Sequence, residues 1–207
     1  MKINVCTEYA DNYQEIADIT LPLMKEYCKR NGYSFDEIRL EDGNQYPFKK
    51  HEYFKKTMLH KDVEAIFYLD IDAAITNMTT RVESFISVGY DFFITEDFNE
   101  LNGGAVIILN TKSGRQFNDF ILNQKDNFEN EQNAYNHFRL ELPQMKVLQH
   151  PSINSYRYSL YPECKGYVGR EDLGDWVEGN FVLHVPGASL NQRIKILSEL
   201  KDTIIYE

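Results

Sequence analysis

The sequence predicts an α/β sandwich, a mostly parallel sheet with helices on both faces. Short apolar runs alternate with stretches of helical periodicity along the whole chain. Gly104–Leu109 is almost continuously apolar, as a strand covered on both faces must be. The 207 residues are 43% hydrophobic and 14% aromatic, which supplies one core and excludes a disordered chain. No repeat, low-complexity tract or linker divides the chain, so residues 1–207 read as a single domain.

Ile3–Cys6 reads as a buried strand, followed by a polar loop over Thr7–Asn12. Ile16, Ile19, Leu23, Met24 and Tyr27 recur at helical spacing. Pro22 should kink or restart that helix, and Asn31-Gly32 should end it. Tyr33–Leu40 reads as a second strand, Glu41–Tyr46 as a loop, and Pro47–His60 as a basic helix. Ala65–Leu69 is an apolar strand and Arg81–Val88 a short helix. Phe92–Ile94 and Gly104–Leu109 are buried strands, with helices over Ser113–Leu122 and Asn130–Leu140. Lys146–Leu148 is a short strand, and Pro151–Gly179 is rich in loops and holds the single tryptophan, Trp176. Phe181–Val185 and Ser189–Leu200 are the last strand and helix.

The net charge of −10 disfavours a general electrostatic hold on nucleic acid or anionic membrane. The densest basic group is Lys49, Lys50, Lys55 and Lys56. Three cysteines without a C-x-x-C pair make a poor disulfide framework and suggest a reducing compartment, the cytoplasm. A strand that starts at once leaves no room for a signal peptide, and no apolar run is long enough to cross a bilayer.

Asp70-Ile71-Asp72 follows the Ala65–Leu69 run, so two carboxylates stand where a buried strand leaves the core. Period-two alternation would point both the same way, and two hard oxygen donors can hold a divalent cation. A strand that merely ends in a polar turn fits the same residues. In an open α/β sheet, ligands bind beyond the carboxyl ends of strands. Those ends offer Thr7, Glu8 and Tyr9, then Asp70 and Asp72, then Thr95, Glu96 and Asp97, and last His184. His184 reads either as a satisfied structural histidine or as a partner to the carboxylates. Asn102-Gly103-Gly104 precedes a strand as a plain turn or a place of close approach, and Glu131-Gln132 opens a helix.

Phe67–Asp72, Asp97–Gly104, Glu131–Ala134, Ile153–Tyr156 and Gly179–Gly187 stand in an order that resembles a known family. It is the galactosyl/mannosyl/xylosyl transferase family of retaining GT-A glycosyltransferases, glycosyltransferase family 34 and its relatives. The likeness runs from about Lys49 to Gly187. It implies a GT-A fold and transfer of a sugar from a nucleoside-diphosphate donor, UDP-linked, to a hydroxyl acceptor. It implies Mn²⁺, or Mg²⁺, on Asp70, Asp72 and His184. Lys55 is similar to a family lysine that faces the nucleotide sugar, with Lys56 the rival in register. Asp97, Asn102, Gly103 and Gly104 match a segment that cradles the donor sugar, Thr7 and Tyr9 border the nucleotide, and Gly187 lets the chain pass near the diphosphate. Glu131 and Gln132 match the segment beside the anomeric centre, Glu131 as nucleophile or Gln132 as a stabiliser of charge, and Arg193 could add positive charge.

Two departures stand out: Asn130 precedes Glu131 where the family often has an acid, and Leu109-Asn110 replaces an expected arginine. A haloacid dehalogenase-like phosphohydrolase also uses a D-x-D strand end, but near the chain start and with paired aspartates that this sequence lacks. A binding module that has lost turnover is a further alternative. The acceptor reads as a saccharide first and a hydroxylated DNA base second. In the second case the four clustered lysines would meet phosphates.

Overall fold

The computed structural model describes residues 1–41, 47–59, 62–97, 100–156 and 175–207. Among these residues thirteen α-helices and strands follow one another: β1 (Ile3–Ala10), α1 (Gln14–Asn31), β2 (Ser34–Leu40), α2 (Lys49–Thr57), β3 (Ala65–Leu69), β4 (Ala73–Ile75), β5 (Phe92–Asp97), β6 (Glu100–Leu109), α3 (Lys112–Leu122), α4 (Glu131–His137), β7 (Met145–Leu148), β8 (Val182–His184) and α5 (Leu190–Ser198). Six strands form one sheet in the order β2-β1-β3-β6-β5-β7. All neighbours are parallel except those of β6, which runs antiparallel to β3 and β5. Parallel neighbours need a crossover, and the connection between Asp97 and Glu100 is too short for one, so β5 and β6 must pair as antiparallel neighbours.

Both faces of the sheet are covered. In β3, Ala65, Phe67 and Leu69 pack with Met24, Tyr27 and Phe181 on one side. Ile66 and Tyr68 pack with Phe54, Phe117 and Tyr135 on the other. Burial of each of these Leu, Ile, Met and Phe side chains stabilises the fold by about 1.5–3 kcal/mol relative to exposure. A third cluster joins α1 and α5 through Ile16, Leu21, Leu183, Ile196 and Trp176.

Several boundaries differ from expectation. β1 continues through Thr7–Asn12's first half to Ala10, because β2 pairs with it as far as Ala10↔Leu40. α1 runs through Pro22 as one helix. Pro22 and Asp18 both lie on the exposed face, where the carbonyl that proline leaves unpaired meets water. Gly32 does end the helix, in a left-handed conformation at φ 71°. The expected helix at Arg81–Val88 is one 3-10 turn, Val82–Phe85. β6 starts at Glu100, so Gly103-Gly104 lies inside a strand and not in a turn before it. Ala73–Ile75 forms a strand too short to signal itself, and it pairs antiparallel with β8 as a separate ribbon. His184 therefore comes from this ribbon and not from an end of the main sheet. Most of Glu41–Tyr46 and of the Pro151–Gly179 loop, and Cys164, lie outside the described residues.

Candidate active site

The main sheet and the ribbon meet at Asp70–Asp72. β3 stops at Leu69, and the Asp70 N–H donates to the Gly104 carbonyl at 2.7 Å. A tight turn follows, closed by the Ala73 N–H on the Asp70 carbonyl at 3.0 Å. The two carboxylates thus converge through a turn and not through strand alternation. The ribbon register sets Ala73 opposite His184, and the Val185 N–H donates to the Asp72 carbonyl at 3.1 Å. That register brings His184 Nε2 to 3.2 Å from Asp72 Oδ1 and 3.8 Å from Asp70 Oδ2. One donor atom from each of the three residues fits within 4.8 Å of the others.

The donor set suits a divalent cation of borderline hardness. His184 is 2% exposed, and its buried Nε2 has no hydrogen-bond partner. A buried ring nitrogen without a hydrogen-bond partner, facing two carboxylates, is the feature such an ion would satisfy. Arg193 Nη1 lies 3.0 Å from Asp72 Oδ2, and its Nε donates to the Ala188 carbonyl. Burial alone would raise the Asp72 carboxyl, but the His184 ring, when it is protonated, and the Arg193 guanidinium hold it below the ordinary carboxylate range.

Behind Asp70 lies a buried cation that sequence reasoning missed. Lys50 is 5% exposed, with Nζ 2.8 Å from Glu131 Oε1 and 3.7 Å from Asp70 Oδ1. It donates to the Gly103 carbonyl at 2.9 Å and lies 4.3 Å from the Tyr68 ring centroid. Burial would depress the ammonium, but Glu131, Asp70 and Glu8 together keep it firmly charged. Lys55 instead pairs with Asp119 at 2.9 Å on the surface, and Lys56 borders a different depression beside β2. Lys49 pairs with Glu52. The four lysines therefore do not act as one basic patch.

The other expected residues divide. Tyr9 and Gly187 border a cleft of about 430 Å³ together with Glu8, Tyr13, Asp70, Asp72, His184 and Arg193. Thr7 is wholly buried within β1 and does not border it. Gln132 Oε1 accepts the Gly103 N–H at 3.1 Å. Asp97 is 2% exposed and accepts from Asn102 Nδ2 at 2.9 Å and from the Tyr156 hydroxyl at 3.2 Å. Neither Asp97 nor Asn102 borders the cleft. The two glycines make room. A Cβ on Gly103 would stand 2.9 Å from Glu131 Oε1, and one on Gly104 would stand 2.2 Å from His184 Cε1 and 2.8 Å from Asp70 Oδ2. Glu8 has a buried, unpartnered Oε2, and burial pushes its carboxyl up to about 7 against the pull of Lys50.

Comparison with known proteins bears on this geometry. Residues 2–89 match the galactosyl transferase GMA12/MNN10 family, a stretch that includes Asp70 and Asp72 and stops before His184. No curated protein matches the chain. Among solved structures, a glycosyltransferase involved in glycosylation of the major capsid of PBCV-1 is 16% identical, with a TM-score of 0.76 over 96% of this chain and 100% of that one. The galactosyltransferase LgtC, solved with donor and acceptor sugar analogs, is 12% identical, with a TM-score of 0.61 over 99% of this chain and 97% of that one. Mouse xyloside xylosyltransferase 1 is 12% identical, with a TM-score of 0.57 over 90% of this chain and 98% of that one. These likenesses show the fold, which is GT-A. Among the described residues, no helix is long and apolar enough to cross a membrane.

Proposed function

We propose that this chain, a glycosyltransferase of GT-A fold similar to the GMA12/MNN10 family, moves a sugar from a nucleoside-diphosphate donor to a hydroxyl acceptor with a divalent cation on Asp70, Asp72 and His184. The observation that carries the reading is the buried, unpartnered His184 Nε2 facing two carboxylates at the mouth of the cleft. A volume of about 430 Å³ suits one nucleotide. Ala10, Tyr13, Leu40 and Pro47 offer an apolar end for a base, and Asp70, Asp72, His184 and Arg193 a polar end for phosphates. We take the base to be uracil and the ion to be Mn²⁺ or Mg²⁺, as the family likeness implies.

When bound, the cation offsets negative charge on the departing diphosphate. In the transfer, the bond from the anomeric carbon to the phosphate oxygen breaks and the acceptor oxygen bonds that carbon. The acceptor proton passes to the diphosphate. Arg193 holds Asp72 charged and brings a second cation to the phosphate end. Lys50 faces the donor sugar in the place expected of Lys55. Its ion pair with Glu131 ties that carboxylate down, which favours same-face attack with retention over a covalent intermediate on Glu131. Gln132, anchored to the Gly103 N–H, can stabilise charge at the anomeric centre. The saccharide acceptor is the better reading, because three of the four lysines a DNA acceptor would need, Lys49, Lys50 and Lys55, are paired or buried. The free, buried thiols of Cys6 and Cys28 agree with a reducing compartment such as the cytoplasm.

A thermal-shift screen of nucleoside diphosphates with and without Mn²⁺ tests the reading, since a ligand of the native state raises the melting point. UDP should stabilise the protein more with Mn²⁺ than without. Asp72→Ala should remove that difference and the Mn²⁺-dependent release of nucleoside diphosphate from donor. Full turnover by Asp72→Ala would overturn the assignment.

A further inference from the structure

The geometry points to a buried relay, Asp97–Asn102–Asn154, that fixes His184 as the Nδ1–H tautomer and so aims the Nε2 lone pair at the cation. The inference deepens the cation reading above and rests on it.

The direction of every bond in the relay is forced from its far end. Asn102 Oδ1 accepts the Gly104 backbone N–H at 2.8 Å, and a backbone N–H can only donate. The Asn102 amide is thereby oriented, and its Nδ2 donates to Asp97 Oδ2 at 2.9 Å. Asn154 meets Asn102 Oδ1 at 3.0 Å, where only an amide nitrogen can answer an oxygen. The same Nδ2 reaches the Tyr156 hydroxyl at 3.2 Å, which in turn donates to Asp97. Asn154 must therefore turn its Oδ1 to His184 Nδ1, 3.0 Å away. An amide oxygen accepts only, so Nδ1 carries the proton and Nε2 of the neutral ring is left with its lone pair.

Burial gives the relay its stiffness. Asn154 is wholly buried, and Asp97, Tyr156 and His184 are each 2% exposed or less. Reversing any link would set two oxygens or two donors against each other away from water, which is costly. Partners on the non-ligating nitrogen of a metal-binding histidine set its tautomer and orientation, and their loss lowers affinity by about 10–100-fold. Asp97 and Asn102 are then positioning residues that act on the cation site through His184.

The test reads the imidazole nitrogens of ¹⁵N-labelled, metal-free protein by NMR at a pH where the ring is neutral, with His184→Gln to assign the signals. Nδ1 should show the protonated type of shift and Nε2 the unprotonated type, the reverse of the preference of free histidine. The opposite pattern in the wild type overturns the inference, and this measurement needs no other variant to fold. Asn154→Leu should move the ring toward the Nε2–H form and weaken Mn²⁺ binding, measured by equilibrium dialysis, by about 10–100-fold. A folded Asn154→Leu that changes neither tautomer nor affinity also overturns it. A wild type with the expected tautomer and no Mn²⁺ affinity sinks the cation reading and with it the purpose of the relay, while leaving the hydrogen-bond chain established.

Discussion

Gly104→Ala adds one methyl group at the point where β6 passes under the carboxylates. No unusual backbone conformation is at stake, so its effect is steric. The new Cβ would stand 2.2 Å from His184 Cε1, 2.8 Å from Asp70 Oδ2 and 2.9 Å from His184 Nδ1. Carbon atoms pack at about 3.5–4.0 Å, so the imidazole must retreat by roughly 1.3–1.8 Å. Ligand distances tolerate only about 0.2 Å, so the retreat removes His184 as a donor. Overpacking of this kind costs about 1–3 kcal/mol in stability. Isothermal titration with Mn²⁺ should show affinity lower by more than about 100-fold, beyond what loss of an outer partner causes. Gly103→Ala is the control. Its Cβ meets the paired Glu131 Oε1 at 2.9 Å and Tyr135 at 3.4 Å, at a cost in stability, but approaches none of the three donors, so Mn²⁺ affinity should hold. Wild-type affinity and stability in Gly104→Ala would refute the packing argument and the placement of His184 against the carboxylates.

Lys50→Met should leave the buried Glu131 carboxylate without its partner, lowering unfolding free energy by about 3–5 kcal/mol in denaturant titration. Adding Glu131→Gln should restore most of that stability but not turnover; a double variant no more stable than the single one would contradict the buried pairing. Glu8 gives a pH dependence. Its folded carboxyl holds its proton up to about 7, against an ordinary 4.5, so its protonated form stabilises the fold fully below 4.5 and that contribution is lost as pH rises through about 7. At about 1.36 kcal/mol per unit this amounts to roughly 3 kcal/mol in metal-free protein. Glu8→Gln should be the more stable protein near pH 8 and lose its advantage in acid; parallel pH profiles of the two proteins would show that Glu8 is not desolvated.

The part of the site that was legible in the sequence is the part carried by contrast. Asp70 and Asp72 stand out because five apolar residues precede them, and the apolar runs likewise located the central strands. Lys50 did not stand out among four lysines. A helical signal for it existed, since Lys50 lies one turn before Phe54 on the buried face of α2, whereas Lys55 follows Phe54 and turns outward. β1 was cut short because polar Thr7 and Glu8 mask a strand whose pairing is set by β2. The ribbon strand Ala73–Ile75 carries no period of its own and exists through its partner Val182–His184. Asn154 lies outside any regular element, and only three-dimensional proximity selects it from the other asparagines.

The two-stranded ribbon works as a clasp. Its first half follows directly on Asp72, and its second half, with His184, comes only after every strand of the main sheet. A growing polypeptide can complete β3 and expose its acids long before the imidazole is synthesised. Ion capture by all three donors then waits for β8, so affinity for Mn²⁺ becomes a gauge of whether that strand has been sewn onto the rest. Polypeptides truncated ahead of β8 would keep the main sheet's strands yet lack that grip.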